Sequence, residues 1–168
     1  MPDKMIVSSS HLASEKGASL SEFEFGLIIA NSAFNRWMLH CSKACGVVDL
    51  TPLDVLVVHH INHRERAKRL VDICFVLNVE DAHTVNYALK KLLKRNLVQS
   101  EKVGKEMFYK TSPEGRAFCE CYRDVREDCL TDSLKSFNFS PEKLTEIAEN
   151  LRALSGLYDQ ASRAAASL

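Results

Sequence analysis

Apolar positions recur with helical spacing at both ends of the chain and change period in the middle. Ser21 and Glu24 have the spacing of a capping box, and from there Phe23, Leu27, Ala30, Phe34, Trp37, Cys41 and Ala44 step by 4, 3, 4, 3, 4 and 3. That pattern predicts one long helix with a continuous apolar seam. Near the other end Phe118, Tyr122, Val125 and Cys129 step by 4, 3 and 4. After a helix start at Ser140-Pro141, Leu144, Ile147, Leu151, Leu154 and Tyr158 step by 3, 4, 3 and 4. Such seams suit either an intrachain helical core or a platform on which two chains pair. For the second arrangement the candidate dimerisation residues are Phe23, Leu27, Phe34, Trp37, Leu144, Ile147, Leu151 and Leu154.

The central third reads differently. Thr51-Pro52 with Asp54 starts a helix that runs to about Asn62, and a second is expected from about Arg66 to Leu77 with Leu70, Ile73, Cys74 and Leu77 as its buried stripe. Asn78-Val79-Glu80 is a tight connection, and Asp81 is a good N-cap for a third helix ending near Asn96. Then the period shortens. Residues 97–102 and 106–110 read as two strands around the Gly-containing turn at 103–105, and Thr111-Ser112-Pro113 caps the next helix. Three short helices followed at once by a basic hairpin spell a winged helix-turn-helix. The expected fold is mainly α with a small β-hairpin wing, a winged helix-turn-helix flanked by long N- and C-terminal dimerisation helices. The expected divisions are a mobile tail at 1–20, an N-terminal dimerisation helix at 21–50, the DNA-binding domain at 51–112, and C-terminal dimerisation helices at 113–168, the last six residues fraying.

Charge sharpens this picture. The 168 residues carry 22 Lys and Arg against 22 Asp and Glu, so no overall charge draws the chain to nucleic acid or membrane. Residues 51–112, however, hold 11 basic against 7 acidic side chains, and residues 84–110 hold 7 against 2. Positive charge therefore gathers on the third helix and the hairpin. On a helical wheel Val85, Ala88, Leu89, Leu92 and Leu93 form one face of that helix, while His83, Tyr87, Lys90 and Lys94 lie opposite, flanked by Asn86 and Lys91.

This mixture suits a duplex groove. Asn bonds adenine twice, Lys reaches guanine O6 and N7 or a phosphate, and a Tyr hydroxyl meets a phosphate oxygen. His83, Thr84, Asn86, Tyr87 and Lys90 are the candidate base readers, with Lys91 and Lys94 on the backbone. Lys68 and Arg69, ahead of the second helix, are candidate backbone clamps, and Lys102 and Lys105 of the hairpin are candidates for phosphate or the minor groove. The alternative for each is a solvated basic face, or lysines that blunt a strand edge.

The order of elements from Leu70 to Gly115 resembles the MarR (multiple-antibiotic-resistance regulator) family. Leu92-Leu93-Lys94-Arg95-Asn96-Leu97-Val98 closes the reading helix, and Thr111-Ser112-Pro113-Glu114-Gly115 follows the hairpin. The resemblance in architecture spans about residues 21–158. It implies a homodimer on palindromic operator DNA, usually a repressor relieved by a small-molecule effector or by oxidation. Two departures stand out. Val103-Gly104-Lys105-Glu106 occupies the hairpin tip where that family has an Asp and one or two Arg, which leaves Lys105 or Lys102 to substitute. Asn96 stands where Gly is usual, and Asn tolerates the left-handed conformation a helix end needs.

Other chemistries find little support. The chain shows no phosphate-binding loop, Gly-rich dinucleotide turn, HExxH or nucleophile elbow, so no enzyme and no cofactor is expected. Cys41 with Cys45, and His59 with His63, lie one helical turn apart but lack the accompanying sequence of a zinc site, so no metal is expected. No apolar run approaches the ~18 residues of a membrane span, and no secretory leader pattern is present, so a cytoplasmic protein with reduced cysteines is the expectation. A protein-binding winged helix without sequence-specific DNA recognition is the alternative function.

Overall fold

The computed structural model describes residues 17–136 and 139–168. They form two compact units, one ending at Arg123 and the other running Asp124–Leu168. Helix α1 spans Ala18–Ala44. The start expected at Ser21 is corrected: the Ser21 N–H donates to the Gly17 carbonyl at 2.9 Å, so the residue sits inside the first turn rather than capping it. Ala18, a strong helix former, lets the helix begin earlier. Of the tail expected at 1–20, residues 1–16 lie outside the described residues and 18–20 are helical.

Helix α2 (Pro52–Asn62) begins as its sequence demands. Thr51 Oγ1 accepts the Asp54 N–H at 3.2 Å and Asp54 Oδ2 accepts the Thr51 N–H at 2.7 Å, a reciprocal cap with Pro52 at the first helical position. The next helix does not start at Arg66. Lys68–Arg69 form a short strand, β1, and α3 covers only Leu70–Leu77. Asp72 caps α3 through the Arg69 N–H, and Asn78 closes it in the left-handed region at φ 51°. Of its expected stripe only Ile73 is fully buried; Leu70, Cys74 and Leu77 are half-buried.

Helix α4 (Ala82–Lys94) follows, then strands β2 (Val98–Val103) and β3 (Glu106–Thr111). The sheet order is β1-β3-β2, antiparallel throughout, with Lys68 opposite Tyr109 and Val103 opposite Glu106. Gly104, at φ +64°, turns the hairpin. Asn96 adopts φ 56°, the left-handed turn that releases the chain from α4 into β2. Helix α5 (Pro113–Arg126) follows, and the first unit ends within it at Arg123.

The core of this unit joins Val55, Val57, Val58 and Ile61 of α2 to Ile73 of α3 and to Val85, Ala88, Leu89 and Leu92 of α4. Leu97 ahead of the sheet, Val98 and Tyr109 within it, and Phe118 and Tyr122 of α5 complete it, and α1 adds Met38 and Cys41. His59 belongs here too: its ring packs edge-on against Tyr122 with centroids 4.5 Å apart. His63 lies beyond α2 in a 3-10 turn, exposed, so the two histidines do not converge.

One expectation about the cysteines is overturned. Cys45, the C-cap of α1, and Cys121 of α5 are joined by a disulfide, their Cα atoms 5.8 Å apart. Folding brings the end of α1 to α5, within the range such a bond requires. Cys41 and Cys119 are buried thiols, Cys74 is half-buried and Cys129 is exposed.

In the second unit α5 gives way to a π-helical turn (Glu127–Thr131), a short helix α6 (Asp132–Ser136) and the long helix α7 (Pro141–Ala165). Ser140 Oγ accepts the Lys143 N–H to cap α7, which stays helical to Ala165 rather than fraying from Arg163.

Candidate nucleic-acid interface

The candidate surface is built on α4. Asp81 Oδ1 accepts the His83 N–H at 2.9 Å, and Thr84 Oγ1 donates to the Asp81 carbonyl at 2.7 Å, which fixes the helix start. With Val85, Ala88, Leu89 and Leu92 buried, the roll of the helix is set by the core, and His83, Thr84, Tyr87, Lys90 and Lys94 emerge on the outer face. Tyr87 is 71% exposed. Asn86 is half-buried on the flank. Tyr87, Lys90, Lys91, Lys94 and Arg95 line an open groove of about 500 Å³ along the helix. Arg95 went unnoticed in the sequence, although it falls four residues beyond Lys91 and eight beyond Tyr87, on the same edge. It also pairs with Asp49 at 3.3 Å.

Three of the expected backbone contacts are engaged within the chain. Lys91 turns inward, its Nζ 2.8 Å from Asp54 Oδ2, and the Asp54 side chain is only 2% exposed. The expectation of a phosphate contact by Lys91 is therefore corrected: a buried carboxylate holds its ammonium. Lys68 is corrected likewise. Its Nζ donates to the carbonyls of His63 at 2.6 Å, Ile61 at 3.0 Å and Arg66 at 3.1 Å, so the side chain closes the turn between α2 and α3. Burial, with Arg66 nearby, pulls this ammonium below its ordinary pKa.

Arg69, the other candidate backbone clamp, is also engaged within the chain, where it braces the wing. Its Nε and Nη2 donate to the two oxygens of Asp72, both at 3.0 Å, and Nη1 donates to Glu106 Oε1 at 3.0 Å. The guanidinium holds the Asp72 carboxyl below its ordinary range. One residue before α3 is thus fastened to the residue that opens β3, and Lys102, Lys105 and Lys110 of the hairpin remain exposed. The sequence carried no local sign of this, because β1 is two residues long and its pairing is entirely long-range.

The candidate dimerisation residues fall on open surface. Along α1, Leu27 and Phe34 are exposed while Phe23 and Trp37 are half-buried, and Ile28 and Ile29 add to the apolar area. On α7 no residue is buried: Leu144, Ile147 and Leu151 are exposed and Leu154 is half-buried. Among the described residues no group of three or more His, Cys, Asp or Glu side chains could hold a metal ion, and no helix is long and apolar enough to cross a membrane.

Cys119 behaves as a core residue. Burial, with Glu120 adding, pushes its thiol up to about 12, so it stays protonated at pH 8. Iodoacetamide applied to the native chain at pH 8 is expected to modify exposed Cys129 and leave Cys119 intact until urea unfolds the protein. Equal labelling of the two without denaturant would contradict that burial.

Residues 50–115 match the family described as the winged helix DNA-binding domain. The fold is similar to that of a MarR mutant from E. coli complexed with operator DNA, at a TM-score of 0.66 and 18% identity over 84% of this chain and 99% of that one. It is similar to AbfR of Staphylococcus epidermidis, at 0.69 and 17% over 88% and 96%. It is similar also to Staphylococcus aureus MarR in complex with salicylate and kanamycin, at 0.64 and 13% over 83% and 91%. At these identities the likeness is one of fold. No curated protein matches the chain in sequence.

Proposed function

We propose that this chain, whose residues 50–115 match the winged helix DNA-binding domain and whose fold is similar to that of MarR structures, is a transcription regulator, a repressor, that binds palindromic operator DNA as a homodimer in the cytoplasm. The observation that carries this reading is the outer face of α4, where Tyr87, Lys90 and Lys94 stand together on an open groove directly opposite a fully buried apolar face. In the complex, α4 enters the major groove with His83, Thr84, Asn86, Tyr87 and Lys90 toward base edges. Lys94 meets the phosphate backbone, and Lys102 and Lys105 reach phosphates or the minor groove from a wing that Arg69 steadies. The exposed seams of α1 and α7 supply the pairing surface, through Phe23, Leu27, Phe34, Trp37, Leu144, Ile147, Leu151 and Leu154. One similar structure is complexed with operator DNA and another with salicylate and kanamycin, and the partners this reading brings to the chain are duplex DNA and a small-molecule effector.

A competing observation favours the protein-binding alternative: α3 presents Val71, Phe75 and Val76 to solvent, Phe75 at 86% exposure. Recovery of bound fragments from a genomic DNA pool separates the two readings. A palindrome with half-sites about one turn, roughly 34–36 Å, apart is expected. No enrichment at low salt would leave the protein-binding module. On the recovered site, Lys94→Ala is expected to flatten the plot of log affinity against log salt by about 0.9, one phosphate lost, whereas Lys90→Ala is expected to narrow the preference for the operator over random duplex. An unchanged slope would remove Lys94 from the phosphate backbone, and an unchanged preference would remove Lys90 from the base edges.

A further inference from the structure

The cationic run on α4 is not uniformly available. Lys90, Lys94 and Arg95 border the groove with their charges outward or on exposed partners, whereas Lys91, in the middle of the run, lines the groove with its stem but gives its ammonium to a carboxylate on another helix. That carboxylate is unusually well fixed. Asp54 Oδ2 accepts both Lys91 Nζ at 2.8 Å and the Thr51 N–H at 2.7 Å, while the Asp54 N–H is held by Thr51 Oγ1. It sits at the N-terminus of α2, where the helix dipole favours a negative charge, and it is buried, so an unpaired state would be costly.

We propose that Asp54 is a specificity-determining positioning residue, which withdraws Lys91 from the DNA-facing surface of α4 and so limits sequence-independent attraction to the phosphate backbone. The inference rests on the DNA-binding reading above. A lysine is a point charge on a flexible four-carbon stem, and Lys91 lines the same groove as Tyr87 and Lys90. Freed of Asp54, its ammonium can turn to the groove and neutralise one more phosphate. That contact carries no base information, so it strengthens binding to every duplex and narrows the margin between operator and random DNA.

The test measures affinity for operator and for random duplex across a salt series. Asp54→Asn keeps a side chain that can cap α2 but removes the charge that holds Lys91. The expected result is a salt slope steeper by about 0.9 on random duplex, and binding there about tenfold tighter at ~0.1 M salt, with a correspondingly smaller operator preference. A residue that merely supported the fold would weaken binding and leave the slope level or shallower, and that result overturns the proposal. Lys91→Met supplies an independent measurement that does not require Asp54→Asn to fold. Its slope is expected to match the wild-type chain, and a slope shallower by about 0.9 would show that Lys91 already touches phosphate, overturning the proposal. The double variant is expected to restore the wild-type slope; one that stays steep assigns the extra contact to another group and also overturns it. A wild-type chain with no affinity for any duplex at low salt defeats the DNA-binding reading itself and this inference with it, an outcome distinct from a normal wild-type slope that Asp54→Asn fails to change.

Discussion

A reducing agent is expected to lower the thermal midpoint of the native chain by about 9–18 °C. Cys45 and Cys121 are 76 residues apart in sequence, and their bond closes a loop that contains α2 through β3. On a chain-entropy account, opening a loop of that length costs about 4.5 kcal/mol of stability, and for a chain of this size each kcal/mol is worth roughly 2–4 °C. The bond fastens the C-cap of α1 to α5, on which Phe118 and Tyr122 are part of the core. Cys45→Ser and Cys121→Ser should each reproduce the shift and be indifferent to reductant. Two variants that melt with the wild-type chain, or a reductant without effect, would show that the bond adds nothing in solution.

The parts of this molecule that could be read from the sequence are those fixed by neighbours within a few residues. Thr51 and Asp54 announced the start of α2, Asp81 that of α4, and the turn residue Gly104 placed the hairpin. Asn96 was legible as a left-handed exit because the conformational demand falls on one residue. The failures share the opposite property. A wheel drawn on α4 alone puts Lys91 on the flank beside the outer face, and only Asp54, 37 residues away, turns it inward. Lys68 looked like a surface lysine until the turn at 61–66 wrapped its carbonyls around the ammonium. The disulfide was equally hidden: Cys41 and Cys45 suggested a pair by spacing, yet Cys41 is a buried free thiol and Cys45, at the helix end, meets α5. The seams of α1 and α7 were visible as seams, but periodicity does not say what covers an apolar face, and within the chain Leu27, Phe34, Leu144 and Ile147 remain open.

Gly115→Ala is expected to cost about 3 kcal/mol, seen as a fall of about 6–12 °C in thermal midpoint. The reason is space rather than backbone freedom. Gly115 has an ordinary negative φ, but a Cβ built on it would overlap the carbonyl of Leu97, and backbone cannot swing aside as a side-chain tip does. The close approach is drawn tight by Ser112, a fully buried residue: its N–H donates to the Leu97 carbonyl at 3.2 Å, its hydroxyl donates to the Asn96 carbonyl, and its Oγ accepts the Gly115 N–H at 2.9 Å. The first turn of α5 is thereby clamped to the residues that leave α4 and enter β2, so the hairpin and α4 share one joint. Ser112→Ala removes the clamp without adding bulk and is expected to cost about 1 kcal/mol, the usual loss for a helix cap. The larger effect of a single methyl group at Gly115 is thus the signature of backbone contact. A Gly115→Ala chain no less stable than Ser112→Ala would mean that α5 can slide away from Leu97, and the wing would then not be held at a fixed angle to α4.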